Sequence, residues 1–330
     1  MTNNSNSKGY SISNELNEIL QENPWLSAAE DFTKGPNADG MYIVEKDKEV
    51  LKPLRNNKPD LYRRFRFDIL PDPLVGNVCA PVIVLCLNPG YSALDKYNYE
   101  SVDDQTKHLV QCEYQQKMGK VNAKRRGKGK EPVHREIRFL FSGEDEKVQL
   151  NRRRQLMIES LRLIPGNEPY GLDPSFNSAE IINSSTKQRD ACANTRFGTY
   201  NWHRFLFGIG ENGIPRFPTK NVFHMEYFPY HSEHLSTNDI DLLERDYPMA
   251  HSAFRNSFLR LRLKEGAYIL ARTRRLRELL ITQFENYRAQ IGCFSSDQTA
   301  SLSEKNIISG SENERQNNTF KETVLSLLRQ

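Results

Sequence analysis

The feature that most restricts the fold is an unbroken apolar run, VIVLCL, which covers residues 82–87 and ends abruptly at Asn88-Pro89-Gly90. Six consecutive apolar residues bounded by turn residues are typical of a strand that is buried on both faces. Such strands occur in parallel sheets that are covered by helices. The run therefore predicts the interior strand of an α/β protein, followed by a rigid polar turn.

Later segments repeat the alternation of strand and helix. Apolar or β-prone stretches predict three more strands, at 221–232 (NVFHMEYFPYHS), 266–272 (GAYILAR) and 289–296 (AQIGCFSS). Apolar residues at helical spacing predict helices at 12–20, 151–163, 239–264 with a break at Pro248, 276–284 and 320–328. We therefore expect an α/β fold with a central, mostly parallel four-stranded sheet and helices on both faces.

The other segments are predicted to lie outside this sheet. Residues 1–60 are expected to form an N-terminal extension with one helix, in which 33–60 make turns and short extended pieces. Residues 61–330 are expected to form a single α/β domain. Within it, 96–138 is predicted to be a polar insertion, because it has too few apolar residues to pack.

Positive charge is concentrated in that insertion. The whole chain has a net charge of +4, whereas residues 117–138 hold nine Lys or Arg against two Glu, a local charge of +7. Such a run can follow nucleic-acid phosphates, although a solubilising loop is the alternative. The predicted DNA contacts are Lys124, Arg125, Arg126, Lys128 and Lys130.

Composition excludes several classes of protein. No segment approaches the roughly 20 apolar residues that span a bilayer, and the polar N-terminus lacks a signal-peptide core. We therefore expect a cytoplasmic protein with no membrane contact and no obligate protein partner. Five cysteines, with no C-x-x-C pair, argue against a disulfide framework, a zinc ribbon or an iron–sulfur site.

Three histidines suggest a metal site, but only weakly. His224, His231 and His234 lie close together in the sequence, yet no paired acidic ligand is evident, and the chain would have to fold back to bring the first two together. We therefore expect no metal. The sequence also implies no organic cofactor.

Polar residues follow each predicted strand, in the segments 88–92, 228–232, 272–275 and 295–298. Ligands of parallel sheets bind beyond the carboxyl ends of the strands, so these segments should line one mouth. Arg272, Arg274 and Arg275 also lie where a helix begins, and cations there oppose the helix dipole unless they bind an anion such as DNA phosphate. The alternative is that these arginines are solvated or paired with Glu278 and Glu285.

The segment VIVLCLNPGYS resembles the first motif of the uracil-DNA glycosylase superfamily, particularly its mismatch-specific and single-strand-selective branches. FHMEYFPYHS, YILARTRRLRELL and IGCFSSDQTASLSEKNI follow in the order of the later family elements, so the similarity spans about residues 60–310. The resemblance implies a three-layer fold like that of these glycosylases. It also implies that Asn88 holds the attacking water, that Tyr91 stacks on the flipped base, and that Ser92 and Phe228 contact it. The alternatives are a turn chosen for its backbone shape and an ordinary core tyrosine.

The final motif departs from that family. Uracil-removing members carry a histidine there, whereas this chain has Cys293-Phe294-Ser295-Ser296. We therefore expect His231 or Arg272 to stabilise the departing base, although His231 could equally be a structural residue. Ser295 and Ser296 are expected to contact DNA.

A second departure concerns the choice of base. Glu226 stands where uracil-removing relatives have an asparagine that reads the uracil edge. An ionised carboxylate only accepts hydrogen bonds, so it favours the N4 amino group of a cytosine-type base, such as one modified at C5. The alternative is that Glu226 pairs with an arginine such as Arg272.

These features together predict a monofunctional DNA glycosylase. It would flip a modified base out of double-stranded DNA, or take it from a single strand, and hydrolyse the glycosidic bond to leave an abasic site. No lysine stands at a strand end as a Schiff-base nucleophile, so strand cleavage is not expected. Repair of a damaged base and attack on modified phage DNA both fit. The rival prediction is a catalytically inactive nucleic-acid-binding module of the same fold.

Overall fold

Nine strands organise the protein in the computed structural model, which describes residues 12–87, 89–163, 179–183, 195–197, 216–233, 235–295, 302–310 and 313–330. The strands are β1 (Leu74–Gly76), β2 (Val82–Cys86), β3 (Arg135–Phe139), β4 (Ala179–Asn183), β5 (Thr195–Phe197), β6 (Val222–Glu226), β7 (Tyr268–Ala271), β8 (Ile291–Phe294) and β9 (Ile307–Ile308).

Eleven α-helices surround these strands in the described part of the chain. They are α1 (Asn14–Gln21), α2 (Trp25–Phe32), α3 (Lys48–Asn57), α4 (Pro59–Tyr62), α5 (Ala93–Tyr99), α6 (Asp104–Arg126), α7 (Gly143–Ser160), α8 (Thr237–Asp246), α9 (Ala250–Lys264), α10 (Arg274–Gln283) and α11 (Glu314–Arg329). None of these helices combines the length and the apolar character that crossing a membrane requires.

The main sheet is mixed and has the order β1-β6-β2-β7-β8-β9. Its four central strands run parallel, as the sequence predicted, and β2 lies between β6 and β7 with every residue buried. Two antiparallel edge strands, β1 and β9, extend it to six strands instead of the four expected. Segments of three and two residues are too short to show an alternating pattern.

Helices contact this sheet on opposite faces. The ring of Phe258 in α9 packs on Phe223 of β6, with the centroids 5.3 Å apart. Phe223 and Ile291 belong to one cross-strand row of side chains, and Gly292 belongs to the next row, which points the other way. Phe320 of α11 packs on that other face, at Gly292.

Gly292 is required where α11 meets the sheet. A Cβ at this position would meet the ring of Phe320 and would lie 2.5 Å from the Ile308 carbonyl oxygen. We expect Gly292→Ala to lower the free energy of unfolding by about 1–3 kcal/mol, because backbone cannot move aside. Gly119→Ala, in α6 with open space around it, should instead raise that energy by up to about 1 kcal/mol. Urea unfolding would measure both, and equal effects would contradict this packing.

The N-terminal residues pack into the same core as the sheet. α1 confirms the predicted first helix. The expectation of turns and short extended pieces at 33–60 holds for 33–44 but is wrong for 48–60, since α3 and α4 begin there and bury Leu51, Leu54 and Leu61. Trp25 is fully buried, and its Nε1 donates a hydrogen bond to Nδ1 of His251 in α9, 3.0 Å away.

The insertion is folded, so the expectation of an unpacked polar segment is wrong. α6 runs for 23 residues, and β3 joins β4 and β5 in a second, antiparallel sheet. The buried residues of α6 recur every fourth position and form one stripe: Thr106, Val110, Tyr114 and Met118. Val110 of this stripe packs with Ala93, Leu94 and Tyr97 of α5 in a small second core, which is easily missed in so polar a segment.

Candidate active site at the strand ends

The loops that follow β2 and β6 are hydrogen-bonded to each other. The Phe228 N–H donates to the Leu87 carbonyl at 2.8 Å, and the Ser232 N–H donates to the Pro89 carbonyl at 3.1 Å. Gly90 and Ser232 also form a parallel bridge. Two of the four predicted mouth segments therefore form one wall. Asn88, the residue expected to hold water, lies outside the described residues.

His231 joins these two loops. Its side chain is 3% exposed, and Nδ1 lies 2.7 Å from the Gly90 carbonyl oxygen, so Nδ1 must carry a proton and donate it. The other ring nitrogen, Nε2, is buried and has no hydrogen-bond partner among the described residues. Buried polar atoms usually have hydrogen-bond partners, so the unsatisfied Nε2 of His231 is a candidate contact for a ligand at the strand ends.

Asp95 is a carboxyl group that interacts electrostatically with His231, and the sequence did not predict it. Its Oδ2 accepts hydrogen bonds from the Ser92 backbone N–H at 2.7 Å and from the Ser92 hydroxyl at 3.0 Å. Burial raises the pKa of Asp95, and the charge of His231 opposes that rise. The Ser92 side chain therefore caps α5, and its hydroxyl is already engaged in that cap.

Tyr91 is half-buried and has one face of its ring covered. The Arg66 guanidinium lies 4.0 Å from the ring centroid and donates two hydrogen bonds to Asp68, at 2.9 and 2.8 Å. This contact restrains the ring, which also packs against the edge of the main core. Arg66 and Asp68 were not predicted, because they come from a segment before β1 that has no distinctive motif.

Phe228 lies in the core and not in the mouth. It is 1% exposed and packs edge-to-face on Tyr227, with the centroids 5.2 Å apart. The predicted contact of Phe228 with a base therefore has no exposed surface to use.

Glu226 is also buried, at 2% exposure, and faces the side chains of β2 and β6. Its Oε1 lies 3.0 Å from Nε2 of His224, and Cys86 is its neighbour across the strands. Burial lowers the pKa of His224, but the charges of Glu226 and Cys86 outweigh it and raise this pKa to about 10. Burial raises the pKa of Glu226, and His224 opposes that more than Arg272 does. The structure thus pairs Glu226 with a histidine, not primarily with an arginine, and its burial disfavours direct contact with a base.

The arginines at the start of α10 are only partly available. Thr273 caps this helix by accepting a hydrogen bond from the Leu276 N–H at 3.1 Å. Arg274 is exposed, whereas Arg275 is 3.2 Å from both carboxylate oxygens of Asp241 and 3.7 Å from Glu278. Arg272, just before the cap, is half-buried.

The end of the last parallel strand is partly described. Ser295 is exposed at the end of β8, and its N–H donates to the Asn306 carbonyl at 2.8 Å. Ser296 lies outside the described residues. Of the predicted phosphate contacts on this side, Arg274, Arg275 and Ser295 are exposed among the residues described, and Arg275 is paired with Asp241.

The predicted basic segment forms the exposed C-terminal end of α6. We call it the basic helix end, and it comprises Lys124, Arg125, Arg126, Lys128 and Lys130. Cations at this end complement the helix dipole. No ion pair joins these residues to an acid in the described part of the chain. Glu113, which accepts a hydrogen bond from the Ala93 N–H at 2.9 Å, fixes the helix beside the mouth, so the basic end lies about 20 Å further along.

Glu100 is a half-buried carboxyl group at the C-terminal end of α5. It accepts hydrogen bonds from the Leu70 N–H and the Tyr42 hydroxyl, both at 3.0 Å. Burial raises its pKa from 4.5 to about 7, although the Leu70 hydrogen bond and the charge of Arg154 oppose the rise. The folded protein therefore holds this proton more tightly than the unfolded chain does. Glu100 stabilises the fold below about pH 4.5, and that contribution is lost as the pH rises through about 7.

We expect the free energy of unfolding of the wild type to fall relative to that of Glu100→Gln between pH 5 and pH 8. After allowance for partial exposure, the difference should be about 1–2 kcal/mol. Urea unfolding at several pH values would measure it. Glu322→Gln, at an exposed position of α11, should show the same pH dependence of the free energy of unfolding as the wild type. A parallel pH dependence of wild type and Glu100→Gln would contradict the raised pKa.

Comparison with known proteins found no matching family model, no similar curated protein and no similar solved structure.

Proposed function

We propose that the protein is a DNA N-glycosylase that hydrolyses the bond between a modified base and its deoxyribose. The observation that carries this proposal is the position of His231. Its Nδ1 is bound to Gly90 of the Asn-Pro-Gly turn, and its Nε2 is buried without a partner in the described residues. A single imidazole thus links the turn expected to hold the water with the loop after the second parallel strand.

The sheet supports the same proposal. In chain order, its parallel strands lie side by side as second, first, third and fourth, and polar residues follow each of them. Together with the resemblance of VIVLCLNPGYS, this order favours a three-layer arrangement like that of the uracil-DNA glycosylases. The strand ends of such a sheet are where a flipped nucleotide would bind.

The chemistry needs few groups. Cleavage of the glycosidic bond builds positive charge on the sugar and negative charge on the departing base, so a fixed donor near the base lowers the barrier. A protonated His231 would donate from Nδ1 to Gly90 and, once the loops around its buried Nε2 move aside as the base enters, would offer a second N–H there. Asp95 would interact with the imidazole through its charge, and Asn88 would place the water. The face of the Tyr91 ring opposite Arg66 would stack on the flipped base.

The basic helix end would hold the DNA to one side of that base. Its distance of about 20 Å from the mouth corresponds to about six steps along a duplex, at roughly 3.4 Å each. Contacts there neutralise phosphate and carry no information about sequence. The choice of base must then come from the mouth itself.

The rival function is a nucleic-acid-binding module that has lost catalysis. The basic helix end would serve it equally well, and the absence of a histidine in the final motif favours it. Incubation with DNAs that contain uracil, cytosine or C5-modified cytosines, followed by heating in alkali, separates the two. Strand breaks at one type of base support the glycosylase, whereas binding without alkali-sensitive sites supports the rival.

A further inference from the structure

Three side chains that commonly bind metals converge on one face of the main sheet. They are Cys86, His224 and Glu226, which we call the Cys-His-Glu cluster. Cys86 and Glu226 are partners across β2 and β6, and His224 lies two residues before Glu226 on the same face. The thiol sulfur, a ring nitrogen and a carboxylate oxygen all lie within 4.8 Å of one another, and all three residues are buried.

The carboxylate of this cluster is not satisfied by the described protein atoms. Oε1 of Glu226 faces His224 at 3.0 Å, but Oε2 is buried and has no hydrogen-bond partner among the described residues. An unsatisfied buried carboxylate oxygen is costly. This oxygen, beside a thiol and an imidazole, therefore points to an additional ligand.

We propose that the Cys-His-Glu cluster binds one divalent transition-metal ion of the zinc type. Thiolate, imidazole and carboxylate are the ligands that Zn²⁺ takes in proteins, and the two anionic groups balance its charge. Bonds of about 2.0–2.3 Å in a tetrahedral site place ligand atoms roughly 3.3–3.7 Å apart. Separations within 4.8 Å reach that geometry through small rotamer shifts.

The surrounding contacts hold the cluster in place. Nε2 of His251 donates to the backbone carbonyl of Glu226 at 2.8 Å, which fixes the end of β6. The Tyr227 N–H donates to the Cys86 carbonyl at 2.8 Å, which fixes the end of β2. A metal here would join two parallel strands directly beneath the turn that starts two residues after Cys86. This role does not depend on the proposed glycosylase activity.

The site was missed in the sequence because the expectation of no metal considered histidines alone. His224 does have an acidic partner, Glu226, two residues away on the same strand. His231 binds Gly90 instead, and His234 lies outside the described residues. Cys86 joins the cluster only through the register of β2 with β6, which no local pattern reveals.

The test uses the full-length protein with Zn²⁺ and Co²⁺ as probes. After removal of loosely bound ions, metal analysis should find about one Zn²⁺ per chain. Exchange for Co²⁺ should produce the strong near-ultraviolet absorption of a thiolate–cobalt bond together with the visible bands of a tetrahedral site. The unfolding temperature should fall by several degrees after the metal is removed by a chelator, because the ion binds only the folded chain.

Three cysteine variants assign the ligand. Cys86→Ser should lose the near-ultraviolet band and at least nine-tenths of the bound metal, and circular dichroism should show that it is folded. Cys293→Ser should keep both, because Cys293 is buried on β8, two strands from β2, and points to the opposite face. Cys112→Ser should also keep both, which excludes the surface pair formed by half-buried Cys112 and exposed His108, whose Sγ and Nε2 are 3.5 Å apart.

A wild-type protein without stoichiometric metal and without a cobalt–thiolate band would overturn the proposal, and that result needs no variant. Equal metal binding by Cys86→Ser and the wild type would also overturn it. Base release is not part of either readout, so failure of the metal site and failure of the proposed function remain distinguishable.

Discussion

Replacement of His231 by asparagine is expected to lower the rate of base release by roughly 100–1000-fold while DNA affinity stays within a few-fold. An asparagine amide can donate to the Gly90 carbonyl as Nδ1 does, so the two loops should stay joined. It has no group in place of Nε2, which is the nitrogen that would face the base. The substitution therefore separates the chemical role of His231 from its structural role.

Two further variants complete this comparison. His231→Gln presents its amide further from the backbone and should loosen the loop, so its unfolding temperature should fall more than that of His231→Asn. His134→Gln, at an exposed position outside the mouth, should behave as wild type. Single-turnover base release and DNA binding would be measured for all three. Full activity of His231→Asn would remove His231 from the mechanism.

Neutralisation of the basic helix end should weaken binding to every DNA sequence alike. Each phosphate contact contributes about 0.9 to the slope of log K against log salt concentration. Four substitutions by glutamine should therefore flatten that slope by roughly 3–4, and the positions are Lys124, Arg126, Lys128 and Lys130. Discrimination between bases should not change, because these contacts carry no sequence information.

The matched control removes the same number of positive charges from another part of the surface. It replaces four exposed cations in and beside α3, which are Lys46, Lys52, Arg55 and Lys58. Their loss should leave most of the slope of log K against log salt concentration unchanged. Equal slopes for the two quadruple variants would show that the basic helix end is only a solvated surface.

Strong local patterns were sufficient to predict the centre of the fold. The apolar run of β2 is buried along its whole length, and the break at Pro248 does separate α8 from α9. Edge strands of two or three residues show no such pattern. α6 was missed because its buried stripe is one residue wide and lies in a polar sequence.

The candidate site was predictable only where it follows the strands in sequence. Gly90 and His231 were placed correctly at neighbouring strand ends. The stacking of Arg66 on Tyr91 depends on a segment before β1 that crosses the mouth, which local spacing does not show. The burial of Glu226 depends on the pairing of β2 with β6, which the sequence does not reveal. Glu226 was predicted to contact the base, but its side chain is buried on a face of the sheet.

The central claim is hydrolysis of a glycosidic bond, and mass spectrometry of the reaction products tests it most directly. The protein would be incubated in excess with single- and double-stranded oligonucleotides that carry uracil, cytosine or a C5-modified cytosine. We predict that one type of base appears free in solution, that the strand loses that base and gains a hydroxyl, and that Asn88→Ala abolishes both changes without loss of binding. Tight binding to these DNAs with no change in strand mass would contradict the claim.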